Sequence, residues 1–390
     1  MKAKHFKTLK NMKNIKLLIF SLYLTKFVYT FKLSKTFNHG SVVECIAEIY
    51  DLYVASGSRD STIKIWDVTT GKLKYTFDKS NGGHSDRVAV LKSLNDGFLA
   101  SGAYDNTIKI WDITIGKLKN TFDKSNGGHS GWVWSLALLE SNYLASGSYG
   151  QIKVWDLREG KLKYTFDESN GGHSVMVRSL VSLDNGYFAS GSADWTVKIW
   201  DIQNGILKYS FDQAINGGHS GYVYSLALLD NGFMASGSFA QLKIWDITIG
   251  KLKYTFDKSN GGHTSYVETL ISLGNGLLAS GSRDYSVKIW DITTGKLKYT
   301  FDQSNGGHSS SVGSLVLLDN GYLASGSEDN KIKIWDISNG ILKFTFNQSN
   351  GGHTAFVSSL TSIGNEMLAS GSNDGTVKLW DITKEKLNYN

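Results

Sequence analysis

The sequence predicts an all-β fold, a single eight-bladed β-propeller with four antiparallel strands per blade. Three observations carry that prediction. Ile-Lys-Ile-Trp-Asp or a near copy occurs eight times, with its tryptophans at Trp66, Trp111, Trp155, Trp200, Trp245, Trp290, Trp335 and Trp380. A fixed period near 45 residues marks an array whose units cannot each bury their own apolar face. Each unit divides into four short apolar runs separated by Asn, Asp and Gly turns, and no helical pattern of useful length interrupts them. Radial repetition of small sheets is the arrangement that covers both faces of every one.

Residues 84–122 show the elements in order. After His84, Arg87-Val-Ala-Val-Leu91 alternates loosely and reads as the first strand. Asn95-Asp96-Gly97 is a hairpin turn signal, and Phe98-Leu-Ala-Ser-Gly102 is the second strand. A tight turn at Tyr104-Asp105-Asn106 leads into Thr107-Ile-Lys-Ile-Trp111, where alternation sets Lys109 opposite the apolar side chains. Thr114-Ile115-Gly116 then turns the chain into the fourth strand, Lys117-Leu-Lys-Asn-Thr-Phe122. Asp-Lys-Ser-Asn-Gly-Gly reaches His129 and the cycle restarts. Proline is absent from the chain, so every turn is made this way.

The repeat pattern runs from residue 26 to 390, leaving residues 1–25 as a basic, poorly ordered tail. Lys26-Phe-Val-Tyr-Thr-Phe31 matches Lys72-Leu-Lys-Tyr-Thr-Phe77 and precedes His39 by the spacing that separates Phe211 from His219. It is therefore the expected outer strand of blade eight, preferred over Lys386–Asn390 because its aromatics outweigh Leu387 and Tyr389. Within the tail, Leu17–Leu24 is apolar but short of the roughly 20 residues that span a bilayer. No small-x-small cleavage site follows it, so a secretory signal fits less well than a tail.

Nine of the 41 lysines and arginines lie in residues 1–35, which contain no acid, so the remainder carries 32 basic against 35 acidic residues. A repeat body of mixed sign is decorated for solubility, and no nucleic acid partner is expected. Cys45 is the only cysteine, which excludes an internal disulfide and a thiolate metal cluster. A reducing, cytoplasmic setting fits that usage, with the nucleus also open.

The Gly-His near the start of each unit, the Ser-Gly-Ser-x-Asp in its middle and the Trp-Asp near its end resemble the WD-repeat β-propeller family. The resemblance covers residue 26 to the C-terminus. It implies a buried hydrogen-bonded tetrad in each complete blade: His84, Ser101, Asp105 and Trp111; His173, Ser190, Asp194 and Trp200; His263, Ser280, Asp284 and Trp290; His308, Ser325, Asp329 and Trp335. Which serine of Ser-Gly-Ser takes part stays open. Ser, His and Asp also make a hydrolase triad, but a nucleophile is needed once, at one pocket. Here the set recurs around the ring beside a tryptophan, which marks a structural network. The histidines come one per blade, without a His pair, so neither a metal nor a cofactor is expected.

Departures from the repeat carry what can be specific. Blades three and five are one residue short at Ser148-Tyr149-Gly150-Gln151 and Ser238-Phe239-Ala240-Gln241, and both lack the turn aspartate. Four residues after each histidine stands a constant valine (Val43, Val88, Val133, Val177, Val223, Val267, Val312, Val357) whose neighbours vary. Those before it are Val42, Arg87, Trp132, Met176, Tyr222, Tyr266, Ser311 and Phe356. Those after it are Glu44, Ala89, Trp134, Arg178, Tyr224, Glu268, Gly313 and Ser358. Period two turns both neighbours away from the core. In the resembled family these positions, with the residue before the turn Asp, line the face that binds partners. Blades three to six concentrate Trp132, Trp134, Tyr149, Met176, Arg178, Tyr222, Tyr224, Phe239 and Tyr266 there. Aromatics with an arginine have the composition of a binding hot spot. The expected function is a non-catalytic scaffold, a monomeric propeller within a larger assembly, that holds a peptide or protein segment across this face. An enzyme or glycan-binding module would instead use the central channel and would need a unique polar cluster on one blade, which the sequence lacks.

Overall fold

Residues 27–386, apart from Thr30, Asp51 and Asn365, are described by a computed structural model of the chain. Eight four-stranded antiparallel sheets follow one another in chain order. In blade four the strands are Val177–Ser182, Tyr187–Ser192, Val197–Asp201 and Ile206–Phe211. The first strand of each blade packs beside those of its two neighbours, and Val43–Ile49 of blade one meets Val357–Ile363 of blade eight. The ring is therefore closed around a channel. Histidine loops and the turns between second and third strands lie on one face, called the upper face below. First hairpins and the turns into the fourth strands lie on the other.

The core sits between blades, never within one. One cluster joins Ile63, Ile65 and Phe77 of blade one to Val88, Leu91, Leu99 and Trp111 of blade two. The same set recurs around the ring. Each motif tryptophan lies against the last phenylalanine of the preceding unit, as in Phe77–Trp111 at 4.3 Å, Phe166–Trp200 at 4.4 Å and Phe346–Trp380 at 4.2 Å between centroids. An indole buried in that way removes apolar area worth a few kcal/mol. One sheet alone could not supply it, because its partner ring comes from the next blade.

The outer strand of blade eight is Lys32–Asn38, not residues 26–31. Leu33 pairs with Trp380 and Phe37 with Val377, and Phe37 stacks on Trp66 at 5.1 Å as the other outer-strand phenylalanines do. Phe27–Tyr29 instead pairs with Lys384–Lys386 in a separate two-stranded sheet. The misplacement has a simple cause. In the other units an Asp-x-Ser-Asn-Gly-Gly turn or a variant separates outer strand from histidine, but here Asn38 runs directly into His39. Counting back from His39 through a loop that is missing moves the strand too far upstream. The expected tail, residues 1–25, and Leu387–Asn390 lie outside the described residues.

The Ile-Lys-Ile lysines also differ from expectation. Lys109, Lys153, Lys198, Lys243, Lys288 and Lys333 are buried, because both faces of each sheet are covered by neighbouring blades. Their ammonium groups are placed by acceptors on the neighbouring strand or in the histidine loop: Lys153 Nζ donates to Thr165 Oγ1 at 3.1 Å, and Lys198 Nζ to the Gly171 carbonyl at 2.9 Å. They hold strands together and do not decorate a solvated face.

Candidate functional site: the upper face of blades three to six

The four expected polar networks close fully. The histidine Nε2 lies 2.7 Å from the first serine of Ser-Gly-x in blades two, four, six and seven. Its Nδ1 lies 2.8–3.0 Å from Asp105, Asp194, Asp284 or Asp329. The tryptophan Nε1–H donates to the same serine at 2.8 Å. One proton order satisfies every member: indole to serine, serine hydroxyl to Nε2, Nδ1–H to carboxylate. Burial alone would raise the Asp105 carboxyl, but the hydrogen bond and charge of His84 outweigh it and hold the group well below the usual range. Thr107 Oγ1, absent from the sequence expectation, donates to Asp105 at 2.7 Å and lies 3.1 Å from His84. His353, Ser370, Asp374 and Trp380 repeat the arrangement in blade eight.

Blades three and five keep only half of it. His129 and His219 still reach Ser146 and Ser236 at 2.7 and 2.6 Å, but with no turn aspartate their Nδ1 atoms are buried without a partner among the described residues. Burial pushes both rings down to about 3. The shortened turns compensate by bonding outward to the next blade. Gly150 N–H donates to the Val175 carbonyl at 2.9 Å and Ala240 N–H to that of Ser265 at 3.0 Å. Tyr149 thereby bridges to Met176, and Phe239 to Tyr266, backbone to backbone.

Those bridges help assemble a ladder of rings and cations across the upper face. Trp132 and Trp134 meet edge to face at 5.5 Å. The Arg178 guanidinium lies 5.1 Å from the Trp134 ring and 5.5 Å from that of Tyr224. Tyr224 continues to Tyr222 at 6.3 Å and to Tyr266 at 5.2 Å, and Tyr266 meets Phe239 at 4.9 Å. All nine expected residues thus lie in one region. Trp134, Met176, Arg178, Tyr224 and Tyr266 are half-buried, while Trp132, Tyr149, Tyr222 and Phe239 are 42–61% exposed. Sequence reasoning foresaw neither the ladder's extensions nor their partners. Tyr104 stacks on Trp132 at 4.3 Å, and Arg87 lies over Tyr104 at 4.7 Å. At the other end Arg283 lies over Tyr266 at 5.1 Å.

Two further aromatics escaped the sequence reading. Trp195 and Tyr285 follow the turn aspartates of blades four and six, with φ of +73° and +71°. Ser61, Asn106, Asn330 and Gly375 hold the equivalent position elsewhere. A bulky side chain in left-handed backbone is strained, on the order of 1 kcal/mol or more. Neither ring recovers that by burial, since they are 47% and 43% exposed. The readable signal was a large ring at a turn position that otherwise holds Ser, Asn or Gly.

Apart from the half-buried Phe356, the counterpart face of blades seven and eight is polar and internally engaged. Ser358, which sequence position alone placed on free surface, donates to the carbonyls of Val43 at 2.6 Å and Gly371 at 3.1 Å. At the channel mouth the residue after the valine reaches the next blade, so a small hydroxyl there latches blade eight to blade one. Among the described residues no group of three His, Cys, Asp or Glu side chains is placed to hold a metal, and no helix is long and apolar enough to cross a membrane.

Comparison with known proteins places this geometry. The crystal structure of the computationally designed Ika8 protein is 32% identical, with a TM-score of 0.75 over 90% of this chain and 100% of that one. The WD40 β-propeller domain of Doa1 is 23% identical, with a TM-score of 0.61 over 92% of this chain and 98% of that one. No curated protein sequence matches the chain. The WD domain, G-beta repeat family matches residues 31–67, 71–112, 116–156, 160–201, 250–291, 295–336 and 343–381. The chain belongs to the WD40-repeat family: seven units match that family, and the closed ring has eight four-stranded blades because residues 202–249, outside the matched ranges, fold in the same way.

Proposed function

We propose that this protein is a non-catalytic interaction scaffold whose upper face, over blades three to six, holds a peptide or protein segment. The observation that carries this is the lopsided exposure of aromatic rings. Trp132, Tyr149, Trp195, Tyr222, Phe239 and Tyr285 all project there, and blades seven and eight offer no exposed large apolar side chain on that face among the described residues. A contiguous apolar patch that a monomer leaves open marks an interaction surface. Rigid rings bind at low entropic cost, since the ladder beneath already fixes several of them. A monomeric propeller inside a larger cytoplasmic assembly is the setting we propose for it.

The test is crosslinked capture by the wild type, by Trp132→Ala/Tyr222→Ala, and by Ile115→Ala, which removes an exposed side chain on the opposite face. An aromatic anchor is commonly worth 2 kcal/mol or more, about thirtyfold in affinity. The double variant is expected to lose partners that the Ile115 variant keeps, at an unchanged melting temperature. Equal capture by all three would refute the assignment.

A further inference from the structure

On the reading of this face as a partner surface, we infer that the partner presents a single carboxylate, seated on Arg178 between the two aromatic pairs. The argument is a comparison of arginines along one ladder. Arg87 donates from Nη2 to Glu44 at 2.7 Å, and Arg59 also pairs with Glu44. Arg283 pairs with Glu268, which in addition accepts from Ser311 at 3.2 Å. Every upper-face arginine but one therefore has its anion supplied by the protein. The Arg178 side chain makes no hydrogen bond or ion pair among the described residues; its Nε is buried without a partner, as is that of Arg87.

Position sharpens the contrast. Arg178 stands one residue after the constant valine, where blade one has Glu44 and blade six has Glu268. In those blades the carboxylate pairs with an arginine of its own turn and accepts from the next blade, from Arg87 at Glu44 and from the Ser311 hydroxyl at Glu268. In blade four the cation itself occupies that place, with Trp134 on one side and Tyr224 on the other. A guanidinium lodged between two rings is weakly hydrated, which prepares its outer Nη groups for a planar acceptor. The buried Nε is closed to a ligand, so contact is made end-on through those outer groups.

The charge count selects the anion. Glu44 already engages both Arg59 and Arg87, and Glu268 engages Arg283, so Arg178 is the one arginine of the four whose charge has no paired carboxylate. A carboxylate matches that. A phosphate, at about −1.5 to −2, would need cations that the glutamates have taken. The occupant is an extended acidic peptide whose Asp or Glu meets Arg178 while apolar neighbours cover Trp132 and Tyr222.

A phage-displayed random 12-residue library tests this against the wild type, Arg178→Met, Arg178→Glu and Trp132→Ala/Tyr222→Ala. Wild-type selection is expected to enrich one Asp or Glu at a fixed offset from an apolar residue. Arg178→Met should lose the acid and keep the apolar preference, and Arg178→Glu should favour Lys or Arg. The winning peptide is then titrated against wild-type protein with its acid replaced by the amide or by phosphoserine, which does not depend on any variant folding. The amide should weaken binding about 10- to 100-fold, the range for one charge-assisted hydrogen-bonded contact. Enrichment that Trp132→Ala/Tyr222→Ala abolishes but that shows no acidic bias would sink the carboxylate and spare the platform. Tighter binding of the phosphoserine peptide would replace the carboxylate with a dianion. Absence of any enrichment sensitive to the aromatic pair would remove the platform as well.

Discussion

Trp200 shows how much one residue carries. It is fully buried against Phe166 and Phe188 and donates to Ser190 at 2.8 Å. Trp200→Ala should cost around 3–5 kcal/mol, because a cavity opens at an interface between blades and the serine loses its donor. Exposed Lys258→Ala should cost under about 0.5 kcal/mol. Urea midpoints of the two variants check the difference. The histidines give a second expectation. His129 and His219 bind a proton only near pH 3 when folded but near 6.5 when unfolded. Between those values the unfolded chain holds more protons, so stability falls as pH drops from 6.5 toward 3. Each ring should remove about 2 kcal/mol between pH 7 and 5. His39, lowered to about 4 by burial, acts in the same direction. Below pH 4 the depressed carboxyls of Asp105 and its equivalents add a further loss. Unfolding of wild type and of His129→Gln/His219→Gln at pH 7 and pH 5 measures this, and the variant should show the smaller pH dependence. At this scale the sequence was legible where identity repeats and opaque where function requires contact. Trp132, Arg178 and Tyr222 stood out as breaks in a pattern. Tyr104 and Glu44 did not, because their meaning comes from which blade they face.

Among the elements, the outer strand of blade eight is the one the sequence misplaced. Seven outer strands are followed by a turn before their histidine, and Lys32–Asn38 is not. A pattern matcher that trusts the period will insert that turn. Pairing restores the assignment, since only Lys32–Asn38 gives Phe37 a tryptophan to stack on. A chain truncated to begin at Phe31 should therefore remain a folded monomer. One beginning at Ser41 should expose the edge of Thr376–Asp381 and self-associate. Size-exclusion chromatography of the two truncations distinguishes the outcomes, and equal elution would contradict the closure. The shortened turns of blades three and five were legible as deletions. That they exchange an internal aspartate contact for a backbone bridge to the next blade was not, because the acceptor lies in another repeat.

As a whole molecule the ring follows from one fact, that each sheet's apolar surface is completed by its neighbour. The period alone foretold eight blades and a closed array. Lopsidedness also belongs to this scale: eight near-copies share a core, and six exposed aromatic rings gather over four consecutive blades. Since the clusters contact only their neighbours, damage in distant blades should add. Trp111→Ala/Trp290→Ala is expected to equal the sum of its single variants within about 0.5 kcal/mol, read from urea unfolding.

The closing pair Leu33–Trp380 joins positions 347 residues apart in the chain. At a synthesis rate of 5–20 residues per second, the ring's first strand waits on the order of tens of seconds for a partner that does not yet exist. Throughout that interval it is an unpaired edge among emerging strands almost identical to its own partner, each a competitor for it. Lys32 and Lys35 leave that edge charged and poorly suited to casual pairing. The hazard in making this protein is therefore one of timing: the ring must keep its first strand free until its last blade is made.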